Sequence, residues 1–355
     1  MTRISRVIDK MREAGLKQIL VSDPLSIKYL TGTMVHPGER MYALLIKGNG
    51  DLTLFANRLF NIKKLPCETV WYSDNENSIE LIKERINVNE PLGIDKEWPA
   101  RFLITLLDSC SNLNVRLSSD CIDRVRAVKD QEEIEKMKEA SRINDLVILK
   151  ARDHVHEGIT EKELAAFIDQ EYLNCGADGN SFPAIVSFGR TAADPHHMPD
   201  DTVLKDGDVI LIDMGCIKNG YCSDMTRTFF YRTTDEKQVF IHDLVRMANE
   251  TAENVIKPGM RLCDIDAAAR NIISDAGYGQ YFTHRLGHFI GQAVHEKGDV
   301  SSSYTDRVEP GMIFSIEPGV YLPDEFGVRI EDLVLVTEDG CEVLNKVNKK
   351  YEIIK

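Results

Sequence analysis

The sequence predicts a two-domain protein of mixed α/β class, with a small α/β domain over residues 1–124 and a larger α+β domain over residues 125–355. Three observations carry that expectation. The length of 355 residues allows two domains, each able to bury its own core. Before residue 124, apolar runs of strand length alternate with helical stretches; beyond residue 130, blocks of helices are twice followed by strands. Hydrophobic residues at 43% and charged residues at 28% are ordinary for a globular chain, so disorder is not the default.

Residues 2–14 place Ile4, Val7, Ile8 and Met11 at helical spacing, and Gly15 closes the element. Residues 18–21 read as a short buried strand, and residues 27–30 as a local turn or helix before Gly32. Strands at 41–46 and 52–55 are joined by Lys47-Gly-Asn-Gly-Asp51, a hairpin signal. Helical stretches near 78–86 and 98–110 flank a strand at 92–95. No catalytic cluster is recognisable in this domain, and His36 and Arg40 read as surface residues of a loop. From Arg126 to about His156 runs a charged helical pattern, whose charges read as a solvated face. A helix at 161–174, a strand at 184–187 and the segment Pro195-His-His-Met-Pro199 follow. Helices at 236–256 and 262–276 lead to a histidine-bearing run at 282–296, and the chain closes with strands at 312–317 and 328–336.

Between these elements, Asn219-Gly220 is a strong two-residue hairpin signal, because both positions tolerate positive φ. With Lys218 and Tyr221 flanking the turn, Asp213 lies opposite Thr226 and Asp224 opposite Gly215. The two aspartates are then diagonal neighbours on one face of the ribbon. Carboxylates held that close repel unless a proton or cation stands between them. The apolar run 209–212 also drives Asp213 toward a buried position, where an uncompensated charge is costly. Either aspartate alone reads equally as a helix cap or turn starter, and a one-residue slip would separate the pair. Cys216 and Cys222 share the ribbon, but Cys216 points away and Cys222 sits nearer the turn, so neither is expected as a ligand.

Glu317 and Glu331 repeat the pattern. A five-residue turn, Pro323-Asp-Glu-Phe-Gly327, would set Glu331 opposite Gly319 and Glu317 opposite Leu333. The bland alternative is a structural ion pair with Arg329, two residues away on the same face. Four acidic groups need more countercharge than one arginine supplies, and two divalent ions fit better. Mixed carboxylate and imidazole ligation suits Mn²⁺, Fe²⁺, Co²⁺ or Zn²⁺. The histidines between 284 and 295 are therefore candidates, although Gly287 and Gly291 disfavour a helical pair at His284 and His288.

The formal charge of -14 argues against non-specific nucleic-acid binding. No apolar run reaches the length of a membrane span, and the N-terminus lacks the apolar core of a signal peptide. Eight cysteines without C-x-x-C spacing suit reduced thiols, so a cytoplasmic protein is expected.

The C-terminal two-thirds resembles the pita-bread metallopeptidases, specifically aminopeptidase P and prolidase (Xaa-Pro dipeptidase). The resemblance rests on Ile212-Asp-Met-Gly215, Tyr221-Cys-Ser-Asp-Met-Thr-Arg-Thr228, His284-Arg-Leu-Gly-His288, Ser315-Ile-Glu-Pro-Gly319 and Gly327-Val-Arg-Ile-Glu-Asp332, in that order. Residues 1–124 resemble the creatinase-like N-terminal domain that such enzymes carry. The resemblance implies a pita-bread catalytic domain over 125–355 and five ligands, Asp213, Asp224, His288, Glu317 and Glu331, with Asp224 and Glu331 bridging two metal ions. It implies that His196 and His295 contact substrate and the tetrahedral intermediate, that Arg329 orients the acidic cluster, and that His197 is a bystander. His284 is left as structural.

The implied reaction is hydrolysis of the Xaa-Pro bond in dipeptides or short proline-containing peptides. A bridging water is acidified to hydroxide, and Glu317 accepts its proton and passes it to the leaving nitrogen. Mn²⁺ is the expected metal, with Co²⁺, Zn²⁺ or Fe²⁺ as alternatives, and a homodimer is the expected assembly. One departure stands out. Where the family usually reads His-Gly-Ile-Gly, this chain has His288-Phe-Ile-Gly291 followed by Gln292, so Phe289 must reshape either nearby packing or the pocket entrance. Methionine aminopeptidases share the ligand set but lack a preceding domain of this kind. Creatinase-type hydrolases share both domains yet work without metals. A non-catalytic binding protein of the same fold would be free to lose ligands, and here none is missing.

Overall fold

A computed structural model describes residues 2–63 and 67–355. The chain forms two compact units, Met1–Arg126 and Ala127–Lys355.

The first unit is built on a six-stranded mixed sheet in the order Glu68–Tyr72, Leu52–Asn57, Ala43–Lys47, Gln18–Val21, Leu92–Ile94, Val115–Leu117. Its helices start and stop where side-chain chemistry dictates. Asp23 caps Pro24–Thr31 by accepting from the Leu25 and Ser26 amides, Pro24 occupies the first turn, and Gly32 ends the helix at φ 75°. Two strands escape the sequence pattern. Glu68–Tyr72 is only half-buried, and Val115–Leu117 spans three residues, so neither shows a buried apolar run. Arg40 pairs with Asp74 through two hydrogen bonds, at 2.9 and 2.8 Å, on the surface of this unit.

The second unit is organised around a four-stranded sheet in the order Ile353–Ile354, Met225–Tyr231, Val209–Met214, Ile185–Phe188. Val209 and Leu211 pack with the helices Glu236–Val255 and Leu262–Asp275. Ile210, Ile212 and Met214 pack on the other face, with Gln131–His154 and Glu161–Asn174. A strand covered on both faces loses the polar alternation of a surface strand, hence the continuous apolar run. A five-stranded sheet (Glu296–Val300, Gly287–Phe289, Ile313–Ile316, Asp332–Val336, Cys341–Val343) and two shorter ones complete the unit. Three of its four long helices open with a reciprocal capping box, Asp130/Glu133, Thr160/Glu163 and Asp235/Gln238.

The charged tract after Arg126 is not simply a solvated face. Lys129 and Glu133 are buried, Lys129 beside Glu296 at 3.4 Å and Glu133 accepting from the Tyr221 hydroxyl at 2.9 Å. Charge patterning along one helix cannot reveal partners that lie 88 and 167 residues away in the chain.

Two ribbons position the candidate site. In the first, Asp213 pairs with Thr226 and Lys218 with Tyr221, and Asn219 and Gly220 take φ values of 52° and 76°. The ladder is interrupted around Gly215 and Asp224 without a change in residue count, since the Ser223 amide still donates to Cys216 O at 2.8 Å. A Cβ on Gly215 would collide with Ser223 O, so the crossing there requires glycine.

The second ribbon differs from expectation by two residues. Leu322 pairs with Phe326 and Gly319 with Arg329, so the turn spans only 323–325, with Asp324 at φ 62°. Phe326 is buried and belongs to the ladder rather than the loop. The outer ladder, Ser315 with Leu333 and Ile316 with Asp332, keeps the same register. Glu317 and Glu331 therefore face each other across a break between two ladders, instead of standing diagonally. A shift of two residues preserves the face, so both carboxylates still point the same way.

Candidate metal centre

The breaks in the two ribbons meet. Thr226 Oγ1 donates to Glu331 Oε2 at 2.8 Å, and the Glu331 amide donates to Thr226 O at 3.1 Å. Thr228 Oγ1 donates to Arg329 O at 3.0 Å. Asp224, Thr226 and Thr228 alternate along one strand face and form the stripe on which the second ribbon docks.

Asp224, His288 and Glu331 each offer a ligand atom within 4.8 Å of one another, and all three are buried. His288 Nε2 lies 3.5 Å from Asp224 Oδ2 and 3.6 Å from Glu317 Oε1. His288 sits on the strand Gly287–Phe289 rather than on a helix, as its glycine neighbours imply. A Cβ on Gly287 would collide with Ser315 O, which lets the two strands close. Asp213 reaches the group from the first ribbon, gripped by Arg329 Nη2 at 2.6 Å.

The electrostatics of this cluster are unfavourable as protein alone. Burial, reinforced by Asp213, pushes the Asp224 carboxyl well above its ordinary range. Burial and then Asp224 do the same to Glu331. Glu317 is pushed up to about 7, chiefly by burial. Burial also lowers His288. Asp213 Oδ1 and Asp224 Oδ1 are buried without a hydrogen-bond partner, which native proteins seldom tolerate. Carboxylate oxygens and one imidazole around such orphaned atoms form a donor set that fits divalent first-row metal ions.

Arg329 ties the surroundings together. Besides Asp213, it donates to Thr226 Oγ1 at 3.1 Å, to the Tyr321 hydroxyl at 2.8 Å and to Pro195 O at 3.4 Å. Burial works against its charge, but Tyr321 and Asp213 hold its proton firmly. Because arginine only donates, the Tyr321 hydroxyl must give its own proton to His284 Nε2, 2.9 Å away. His284 Nδ1 then donates to Arg285 O at 2.7 Å, leaving the ring neutral with no lone pair to spare. Burial and the nearby Arg329 lower His284 to about 3, in keeping with that assignment.

His196 and His295 are both exposed. The His295 ring stands edge-on to His288, with centroids 4.3 Å apart, and burial followed by His288 lowers it to about 4. His196 lies on the loop whose Pro195 carbonyl receives Arg329. His197, the expected bystander, bonds the buried Glu161 at 2.7 Å through Nε2.

Phe289 does not face the centre's entrance. It is buried against Phe314, with centroids 5.4 Å apart, in space that a Cβ on Gly298 would fill. Its effect falls on packing. Gln292 uses its amide N–H for Glu296 at 3.0 Å and its side chain for the Tyr221 hydroxyl at 3.4 Å.

Thr226, Tyr321 and Glu161 were not singled out from sequence. Tyr321 had a signal available: Glu317, Gly319 and Tyr321 recur at period two, and the missing side chain at Gly319 clears space for the ring. Behind the centre, Asp332 pairs with Arg227 at 2.7 Å and Lys349 at 2.8 Å, and Lys349 also binds Glu253 at 2.6 Å.

Residues 135–338 match metallopeptidase family M24, and residues 3–128 match the creatinase/prolidase N-terminal domain. An uncharacterized peptidase of Staphylococcus aureus (strain MW2) is 40% identical over 354 residues, covering 98% of this chain and 100% of that protein. The crystal structure of a prolidase from Thermococcus sibiricus is similar with a TM-score of 0.92 and 35% identity, covering 99% of this chain and 98% of that one. The dipeptidase PepE from Mycobacterium ulcerans is similar with a TM-score of 0.94 and 30% identity, covering 99% and 97%. The chain belongs to metallopeptidase family M24 and is a hydrolase with a creatinase/prolidase N-terminal domain ahead of its catalytic one.

Proposed function

We propose that this protein is a dinuclear-metal peptidase that hydrolyses the Xaa-Pro bond of dipeptides or short peptides. The observation that carries the reading is the pair of buried, unpartnered oxygens on Asp213 and Asp224, inside a group of four carboxylates served by one arginine. Asp213, Asp224, His288, Glu317 and Glu331 would hold the ions. Asp224 and Glu331, the most enclosed side chains of the four, would be shared between the ions. When bound, the ions supply Lewis acidity, which acidifies water and polarises the scissile carbonyl.

The chain's own groups do the rest. The Glu317 side chain is 16% exposed against 5% for Asp224, so it meets solvent and can accept a proton from the attacking water and return it to the leaving nitrogen. His295 and His196, on the open side, are suited to donate to the carbonyl oxygen as it gains charge. Arg329 keeps Asp213 in place. A bond to proline has no amide N–H, so a site relying on the ring and the free amino terminus would accept what other peptidases cannot grip. The similarity to a prolidase and to a dipeptidase supports this substrate class.

Mn²⁺ is the proposed physiological metal, with Co²⁺, Zn²⁺ and Fe²⁺ as alternatives, and the working form is proposed to be a cytoplasmic homodimer. No cysteine among the described residues is in a disulfide bridge, which suits a reducing compartment. No helix among the described residues is long and apolar enough to cross a membrane. The test is hydrolysis of Xaa-Pro against Xaa-Pro-Yaa-Zaa by chelator-treated protein, with and without added Mn²⁺. Turnover that survives complete metal removal sinks the reading.

A further inference from the structure

We propose that Glu161 is a positioning residue that clamps the His196 loop against the metal centre, with His197 as the clip between them. The inference rests on the role given to His196 above.

The loop has little else to hold it. None of residues 193–200 is buried, and Met198 is 61% exposed, so apolar packing cannot fix its path. Within the loop, Asp194 accepts from the His196 amide at 3.0 Å, and Arg329 reaches only the Pro195 carbonyl, at 3.4 Å.

Glu161 supplies the missing anchor. It is the first residue of the helix Glu161–Asn174 and is fully buried. One carboxylate oxygen takes the Phe188 amide at 2.8 Å and the Thr191 hydroxyl. The other takes His197 Nε2 at 2.7 Å and the Asp200 amide at 3.1 Å. Two donors thus come from before His196 and two from after it. The same helix end grips the far side of the loop, through the Lys162 amide to Asp200 O and the Glu161 amide to Thr202 O, both at 3.2 Å. Glu161, His197 and Asp200 also lie close enough to suggest a second metal group, but both Glu161 oxygens are already committed. The cluster works as a clamp.

The test combines amide hydrogen exchange with a double-mutant cycle on Mn²⁺-loaded enzyme, using Ala-Pro as substrate. In Glu161→Gln, exchange in peptides spanning 189–203 should accelerate at least about tenfold, with 209–231 and metal content unchanged. Its kcat should fall about 10–100-fold. Added to His196→Ala, the same substitution should cost nothing further, because the clamp acts through that ring. His197→Phe should reproduce the loss, and His197→Gln, which keeps an N–H at the same reach, should restore most of it; this pair replaces Glu161→Gln if that variant fails to fold. Unchanged exchange, or an additive loss in the double mutant, overturns the clamp. Failure of the functional reading looks different: His196→Ala would then keep full turnover while the loop still loosens in Glu161→Gln.

Discussion

The ribbon spanning 209–231 and the ribbon spanning 313–336 each deliver two carboxylates to one place, but they find their register differently. The first turns through Asn219 and Gly220, both at positive φ, a geometry that the dipeptide itself specifies. The second turns through three residues with only Asp324 in the left-handed region, and aspartate announces that conformation weakly. What fixes the second ribbon is tertiary: Phe326 buries itself, and Thr226 and Thr228 receive Glu331 and Arg329. The lesson is that parity is sturdier than register. An error of two residues left both glutamates on the correct face, whereas an error of one would have removed the site.

Removing one carboxylate from each ribbon tests whether they are equal halves. Asp224→Asn and Glu331→Gln should each lower kcat by about 10³-fold or more, several kcal/mol of transition-state stabilisation, with loss of bound metal measured by elemental analysis. A metal content that falls in one variant and not the other would break the equivalence.

Arg329 spans the ribbons, so its replacement probes their coupling. Arg329→Lys keeps the charge but cannot serve Asp213, Thr226, Tyr321 and Pro195 together. A loss of about 10–100-fold in kcat or metal affinity is expected. Wild-type values for both would mean that the ribbons do not need this tie.

The glycine that follows the first carboxylate of each ribbon by two positions offers a finer contrast. Gly215→Ala drives a methyl into Ser223 O, a backbone atom, and should destabilise by about 1–3 kcal/mol in urea unfolding. Gly319→Ala meets the Tyr321 side chain instead, which can move. That variant should lose activity more than stability, because displacing Tyr321 disturbs Arg329. The opposite ranking would show that backbone closeness does not govern the first ribbon.

The smallest effect is on pH. His242 braces the first ribbon through Thr228 O at 3.2 Å, and burial lowers it to about 4. The unfolded chain binds this proton near the ordinary 6.5 and the folded chain does not, so the stability it contributes is present above 6.5 and lost as pH falls toward 4. Between pH 6.5 and 5.5, wild type should lose about 1 kcal/mol more than His242→Phe. Parallel curves would remove His242 from the account.

Much of this was legible in the chain. Asp213 opposite Thr226 follows from Asn219-Gly220 alone, and the apolar run before Asp213 reports a strand covered on both faces. Illegible were contacts that depend on distant segments meeting. Glu161 reads as an ordinary first-turn acid of a helix, and only the folded loop brings Phe188, Thr191, His197 and Asp200 to it. Lys129 and Glu133 were hidden in a run of similar charges for the same reason. Phe289 could be flagged as unusual but not placed, because its compensating partner, Gly298, sits across a strand pair.

The Lys349 contacts carry a practical consequence. The last ten residues carry no recognisable motif, and half of them are charged. Yet Lys349 neutralises Asp332, the neighbour of Glu331, and Ile353–Ile354 forms the edge strand beside Phe230 and Tyr231. Removing residues 346–355 would unplug the peptidase from behind, at a distance where no inspection of the catalytic face would find the fault.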